Sequence, residues 1–221
     1  MPEAEQFVID YLEGRVDSET FIERLKTDPS IEDWLQSIVP EGKLGHFETI
    51  YHDDGTWSQR TGPYDVRHMI DTVLERGSNL AKHLNLFSAI SGLWKEAFPD
   101  RKINFDTSIS DKFNFFLRAC PDYLYSQTIE ESGIFKKLLE ELPKEWSKPK
   151  RIKEFKRRLK EMFFVEGQKY PRWAQESEWP LSPTGKPTKF LGQKSFCGGE
   201  VVKYRFLDMD TGKEIEVVQA Y

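Results

Sequence analysis

Residues 170–180 have the sequence YPRWAQESEWP, a segment dense in aromatic and turn-forming side chains. Pro171 and Pro180 restrict the backbone near its two ends. Trp173 and Trp179 each carry a large ring that gains free energy from burial. This composition predicts an ordered segment that packs as a lid on a hydrophobic core. The competing interpretation is a binding surface, because tryptophan, tyrosine and arginine are preferred at interfaces.

The residues after this segment predict β-structure at the C-terminus. Residues 201–207 and 214–218 are rich in β-branched and aromatic side chains, which favour strands. The sequence DMDTG at residues 208–212 lies between them and is typical of a hairpin loop. We therefore predict an antiparallel β-hairpin or small sheet over the last quarter of the chain.

Upstream of residue 170, apolar residues recur at spacings of three and four, which predicts helices. The pattern occupies residues 4–13, 17–28, 31–38, 66–74, 80–94, 110–121, 130–142 and 147–163. Ser110 is expected to cap one helix, and residues 130–142 are expected to form one uninterrupted helix. The predicted fold class is α+β and predominantly α-helical. Residues 1–40 form an N-terminal helical segment that can pack on a main domain of residues 41–221, and one single domain overall remains an alternative.

Composition limits the classes of protein to consider. The chain has 221 residues and a net charge of −5, which argues against a nucleic-acid partner. Its two cysteines, Cys120 and Cys197, are far apart and suggest free thiols in a reducing compartment. There is no leader-like start and no apolar run near the ~18 residues of a membrane span. We expect a cytoplasmic protein that has no membrane contact.

Four residues near the middle of the chain suggest one alternative function. His46, His52, Asp53 and Asp54 lie within nine positions in a glycine-punctuated stretch. Histidine and carboxylate side chains bind zinc and perform acid–base chemistry, so this loop could belong to a metal-dependent hydrolase. The spacing matches no established motif, and surface loops commonly carry such residues.

A basic helix suggests a second alternative. Residues 136–172 contain thirteen basic and six acidic side chains, and the predicted helix presents several of them on one face over residues 148–160. The basic residues expected on the face opposite the apolar stripe are Lys153, Lys156, Arg157 and Lys160. Such a strip could bind phosphates in a nucleic-acid-binding regulator. Acidic residues interleave the basic ones, which favours an ordinary solvated helix face.

The C-terminal residues also resemble a known family. The pattern begins with Pro171-x-Trp173-x-Gln175 and Glu178-Trp179-Pro180, continues with Phe190 and Gln193, and ends with Tyr204-x-Phe206-x-Asp208 and a last strand containing Gln219. This order is similar to the C-terminal signature of bacterial immunity proteins encoded beside polymorphic or contact-dependent growth inhibition toxins. The similarity covers about the last hundred residues, extends loosely to the first forty and omits residues 41–110.

The resemblance implies a protein that binds one cognate toxin domain and blocks it, with no enzymatic activity and no cofactor. The motif positions Pro171, Trp173, Gln175, Glu178, Trp179, Pro180, Gln193, Tyr204, Phe206 and Asp208 would support the fold. Residues 1–50 carry twelve acidic and four basic side chains, a net charge of −8. Because many toxin domains are cationic, this segment is the expected contact surface. Its candidate contacts are Glu13, Asp17, Glu19, Glu23, Glu32 and Asp33. The oligomeric state remains open.

Overall fold

A computed structural model describes residues 2–51, 56–75, 77–167 and 169–221, with the backbone alone for residues 46–51 and 57–60. The chain divides into two compact units, residues 1–111 and residues 112–221. The described part is mainly helical and ends in a three-stranded antiparallel sheet, which confirms the predicted α+β class. In that part, no helix combines the length and the apolar character needed to cross a bilayer.

The first unit contains five complete helices and a two-stranded antiparallel ribbon within its described residues. In chain order these are α1 (Glu3–Leu12), α2 (Ser18–Thr27), α3 (Pro29–Ser37), β1 (Leu44–Tyr51), β2 (Trp57–Pro63), α4 (Val66–Glu75) and α5 (Asn79–Ala97). The sequence predicted an extended segment near residues 46–52 but gave no sign of its partner strand.

Short polar side chains determine where several of these helices begin. Asp17 accepts a hydrogen bond from the backbone N–H of Thr20 at 2.8 Å, at the start of α2. Ser78 accepts one from the N–H of Ala81 at 3.3 Å, at the start of α5. The first N–H groups of a helix have no partner inside it, so these contacts stabilise the helix ends.

The predicted N-terminal segment shares one hydrophobic core with the later helices of its unit. Leu12 and Ile31 belong to the same buried cluster as Val66 and Ile90, and all four side chains are fully buried. Residues 1–40 therefore bury their apolar stripes against α4 and α5 as well as against each other.

The second unit combines short helices with the C-terminal sheet. The helix α6 (Ser108–Ala119) begins in the last residues of the first unit. It is followed by α7 (Gln127–Glu131), α8 (Ile134–Glu140), α9 (Lys148–Met162), β3 (Lys189–Phe196), β4 (Val201–Leu207) and β5 (Glu214–Ala220). The strand order is β3-β4-β5, and both pairings are antiparallel.

Two helix predictions in this region are wrong. Ser110 lies inside α6, and Asp106 instead accepts a hydrogen bond from the N–H of Ser108 at 2.9 Å. Residues 130–142 do not form one helix, because Gly133 has a φ of 78° and separates α7 from α8. A left-handed residue stops the helical hydrogen-bond pattern, and glycine adopts it without a steric penalty.

We expect Gly133→Ala and Gly92→Ala to have opposite effects on stability. An alanine Cβ would meet nothing within 4 Å at either site, so the backbone conformation alone determines the sign of the change in stability. At Gly133 the left-handed backbone should cost the alanine variant about 1 kcal/mol. At Gly92, inside α5, alanine should stabilise the helix by about 0.5–1 kcal/mol. Thermal unfolding followed by far-UV circular dichroism measures both; a shift in the same direction would contradict the expectation.

Candidate partner-binding groove

The tryptophan-rich C-terminal segment packs under the sheet. Trp179 is fully buried, and its indole N–H donates to the carbonyl of Thr188 at 3.0 Å. Its ring lies 5.4 Å from that of Phe163 and 5.2 Å from that of Phe206, measured between centroids. Trp173 is half-buried and donates its indole N–H to the carbonyl of Tyr123 at 2.9 Å. Both rings therefore contribute to the interior of the second unit.

A network of hydrogen bonds holds the backbone just after Trp173. The Gln219 side chain accepts from the N–H groups of Ala174 and Gln175, each at 3.1 Å. Its amide nitrogen donates to the carbonyl of Glu176 at 2.8 Å. Gln219 is almost completely buried, so its side-chain amide has little access to competing water.

Further motif residues bind the same segment. The Tyr204 hydroxyl donates to the carbonyl of Arg172 at 2.8 Å. Gln193 accepts from the N–H of Arg172 at 2.7 Å, and Gln175 donates to the carbonyl of Ala220 at 2.8 Å. Pro171, Phe206 and Asp208 are buried, Pro180 is half-buried, and Glu178 is exposed. The motif positions thus lie along one segment and on or next to the three strands of the C-terminal sheet.

Asp208 organises the turn between β4 and β5. Its carboxylate accepts from the Thr211 hydroxyl at 2.7 Å and from the N–H of Asp210 at 2.9 Å. Together these hydrogen bonds hold the pKa of the Asp208 carboxyl below its ordinary value, and the bond from Thr211 contributes the most.

The lowered pKa gives a pH prediction for Asp208→Asn. A folded-state pKa below the unfolded-state value of about 3.9 means that ionised Asp208 favours the folded state. That stabilisation is complete above the unfolded-state pKa and is lost as the pH falls through the folded-state pKa. We expect the variant to melt below the wild type at pH 7 and to approach it as the pH falls from there through the folded-state pKa. Melting curves across this range measure the difference; a constant gap would contradict the assignment.

The proposed metal-binding residues fall mostly outside the described part of the chain. His52, Asp53 and Asp54 lie outside the described residues, and only the backbone of His46 is described, in β1. Among the residues that the structure describes, no group of three or more histidine, cysteine or acidic side chains could hold a metal ion. The hydrolase hypothesis remains a prediction.

Carboxylates form ion pairs with two arginines of the basic helix. Arg157 donates to Glu154 at 2.7 Å and 2.9 Å and also pairs with Glu161. Arg158 contacts Glu154 at 2.9 Å and Glu141 at 3.1 Å. The two arginines lower the pKa of Glu154 to about 2. Lys153 and Lys160 are exposed, and Lys156 is half-buried. Because acids balance the guanidinium charge, this face offers phosphates less attraction than its basic residues alone suggest.

Four of the six predicted contact acids lie apart from the groove described next. Asp17 caps α2, and Glu13 accepts from the N–H of Asn104 at 3.2 Å and pairs with Arg15. Glu32 contacts Arg67 at 3.3 Å, and Asp33 is exposed on α3. These four acids are not among the residues that line the groove.

Glu19 and Glu23 line a groove in the first unit, between α2, α4 and α5. Its volume is about 760 Å³. The lining residues are Glu19, Ile22, Glu23 and Lys26 from α2, Asp71, Leu74 and Glu75 from α4, and Asn79, Lys82 and His83 from α5. Each helix thus contributes positions three and four residues apart, which lie on one helical face.

The two helices that carry the acids share a local sequence pattern. Residues 19–23 are ETFIE and residues 71–75 are DTVLE, so an acid, a threonine, two apolar residues and an acid recur. The first apolar residue is Phe21 in α2, which is fully buried in the core, and Val73 in α4, which is half-buried against that core. The second, Ile22 or Leu74, is half-buried and lines the groove. The lining therefore combines an apolar base, formed by these two residues, with four carboxylates and two lysine ammonium groups, so negative charge is in excess. The sequence analysis missed the second copy of the pattern.

Comparison of the chain with protein-family models, with curated proteins and with solved structures finds no significant match.

Proposed function

We propose that this protein is an immunity protein that binds one cognate toxin domain by direct contact and so neutralises it. The observation that carries the proposal is the acidic groove between α2, α4 and α5. The resemblance of the C-terminal motifs to immunity proteins suggests the class of partner. The proposal includes no catalytic activity and no cofactor, and it places the protein in the cytoplasm.

The composition of the groove supports binding of a cationic protein. Excess negative charge accelerates the encounter with a positively charged partner. Ile22 and Leu74 provide half-buried apolar surface at the base, and its further burial would slow dissociation. The volume of about 760 Å³ lies within the range of binding clefts of roughly 300–1,000 Å³.

In this proposal the second unit supports the fold. Trp179, Tyr204 and Phe206 are completely buried, so their side chains offer no surface to a partner in the folded protein. This role agrees with the fold-supporting character of the motif and leaves the contact to the first unit.

Co-expression tests the proposal. The toxin domain encoded beside this gene is produced in bacteria with and without the protein, and growth is measured together with complex formation by size-exclusion chromatography. We expect restored growth and a stable complex whose association rate falls as salt rises. Absence of both binding and rescue would overturn the proposal. Turnover of a substrate by the isolated protein, without toxin binding, would also overturn it.

A further inference from the structure

The groove lining contains two pairs of acids, which we call its two acidic edges. One edge is Glu19 and Glu23 on α2, and the other is Asp71 and Glu75 on α4. On each helix the two acids are four residues apart, about 6 Å along the axis. The apolar base residue, Ile22 or Leu74, lies between them in sequence. A complementary ligand therefore needs an apolar group with cations on both sides.

The groove lining also favours one backbone conformation for its occupant. All ten lining residues belong to helices, so the lining contains no strand edge. An extended segment would find no strand edge here with which to pair its N–H and C=O groups. A helical segment satisfies its own backbone and offers side chains alone, as grooves between helices require.

We propose that the groove binds an amphipathic cationic helix of the partner. One apolar side chain of that helix enters between Ile22 and Leu74, and lysine or arginine side chains three or four positions away pair with the two acidic edges. This inference rests on the proposed function, because it assigns the helix to the toxin domain. It adds the chemistry of the contacting segment and the residues that receive it.

A peptide experiment tests the groove without the toxin. The probe is an alanine-based helical peptide with one central leucine and arginines three and four positions to either side; a scrambled peptide of the same charge is the control. We expect the probe to shift the methyl NMR signals of Ile22 and Leu74, and the shifts to diminish as salt rises. The scrambled peptide should leave these signals unchanged. Absence of shifts with the probe, or equal shifts with both peptides, would overturn the inference.

A charge-reversal experiment then uses the complete protein and an inactivated toxin domain. Glu23→Lys with Glu75→Lys changes one acid on each edge, and we expect the dissociation constant to rise roughly 100-fold. The matched control is Asp33→Lys with Glu41→Lys, which alters the net charge equally at exposed acids outside the lining. Circular dichroism verifies that both variants fold.

The outcomes separate the two proposals. If the wild type binds the toxin and both double variants bind it more weakly to the same extent, the groove assignment is wrong and the proposed function still stands. Failure of the wild type to bind the toxin would overturn the proposed function, while the peptide shifts would still decide whether the groove accepts a cationic helix.

Discussion

Trp179→Ala should destabilise the second unit by about 3–5 kcal/mol, the usual cost of removing a fully buried aromatic side chain. The indole ring has no exposed surface and contacts the rings of Phe163, Phe190 and Phe206. Alanine would leave a cavity between the lid segment, residues 170–180, and the sheet. It would also remove the donor to the carbonyl of Thr188. Urea denaturation followed by far-UV circular dichroism measures the loss without relying on tryptophan fluorescence.

Trp179→Phe separates the two contributions. Phenylalanine keeps most of the ring contacts but leaves the buried carbonyl of Thr188 without its donor, which should cost about 1–3 kcal/mol. The phenylalanine variant should therefore fall between the wild type and the alanine variant. A loss below about 1 kcal/mol for Trp179→Ala would contradict its position in the core.

Helix boundaries were predictable where the deciding interaction is local in sequence. Asp17 and Ser147 occupy the N-cap positions that their sequences suggest, and Asp17 also makes the capping hydrogen bond. The prediction failed at Ser110 because Asp106, four residues earlier, caps the helix instead. It failed again at Gly133, where an apolar pattern of helical spacing continues across a residue with left-handed geometry. Periodicity reports which residues face the core and says little about a single backbone angle.

The groove was less predictable because it depends on contacts between distant segments. Glu19 and Glu23 were candidates on the basis of charge, but Asp71 and Glu75 lie about fifty residues later. Their shared acid-threonine-apolar-apolar-acid pattern is visible in the sequence, yet the pattern alone does not bring two helices together. The convergence follows from the common core that α2 and α4 share through Phe21 and Met69.

The contacts of the lid segment were also only partly predictable from local sequence. Within the motif, Gln193 bonds the N–H and the carbonyl of Arg172, and Gln175 bonds the carbonyl of Ala220 in β5. The glutamine that makes three such bonds while almost completely buried is Gln219, near the end of the last strand. Strand pairing across β4 and β5 places it there, which no local pattern around residue 175 indicates.

Gln219→Ala should therefore cost about 2–3 kcal/mol, because the variant loses an almost completely buried side chain that makes three hydrogen bonds to the lid backbone. The N–H of Gln175 and the carbonyl of Glu176 would lose the bonds that Gln219 provides. The N–H of Ala174 would retain the Tyr204 hydroxyl, which limits the damage. Urea denaturation of the full chain measures the change in the free energy of unfolding.

Gln193→Ala is the matched control. Its side chain also makes two bonds to this segment, both with the backbone of Arg172, but it is exposed. Water can replace these bonds, so the cost should stay below about 1 kcal/mol. Equal losses at the two positions would contradict the role given to burial, since each change removes one amide group that bonds the backbone of residues 172–176. A clearly larger loss at Gln219 would identify β5 as the element that orders the lid.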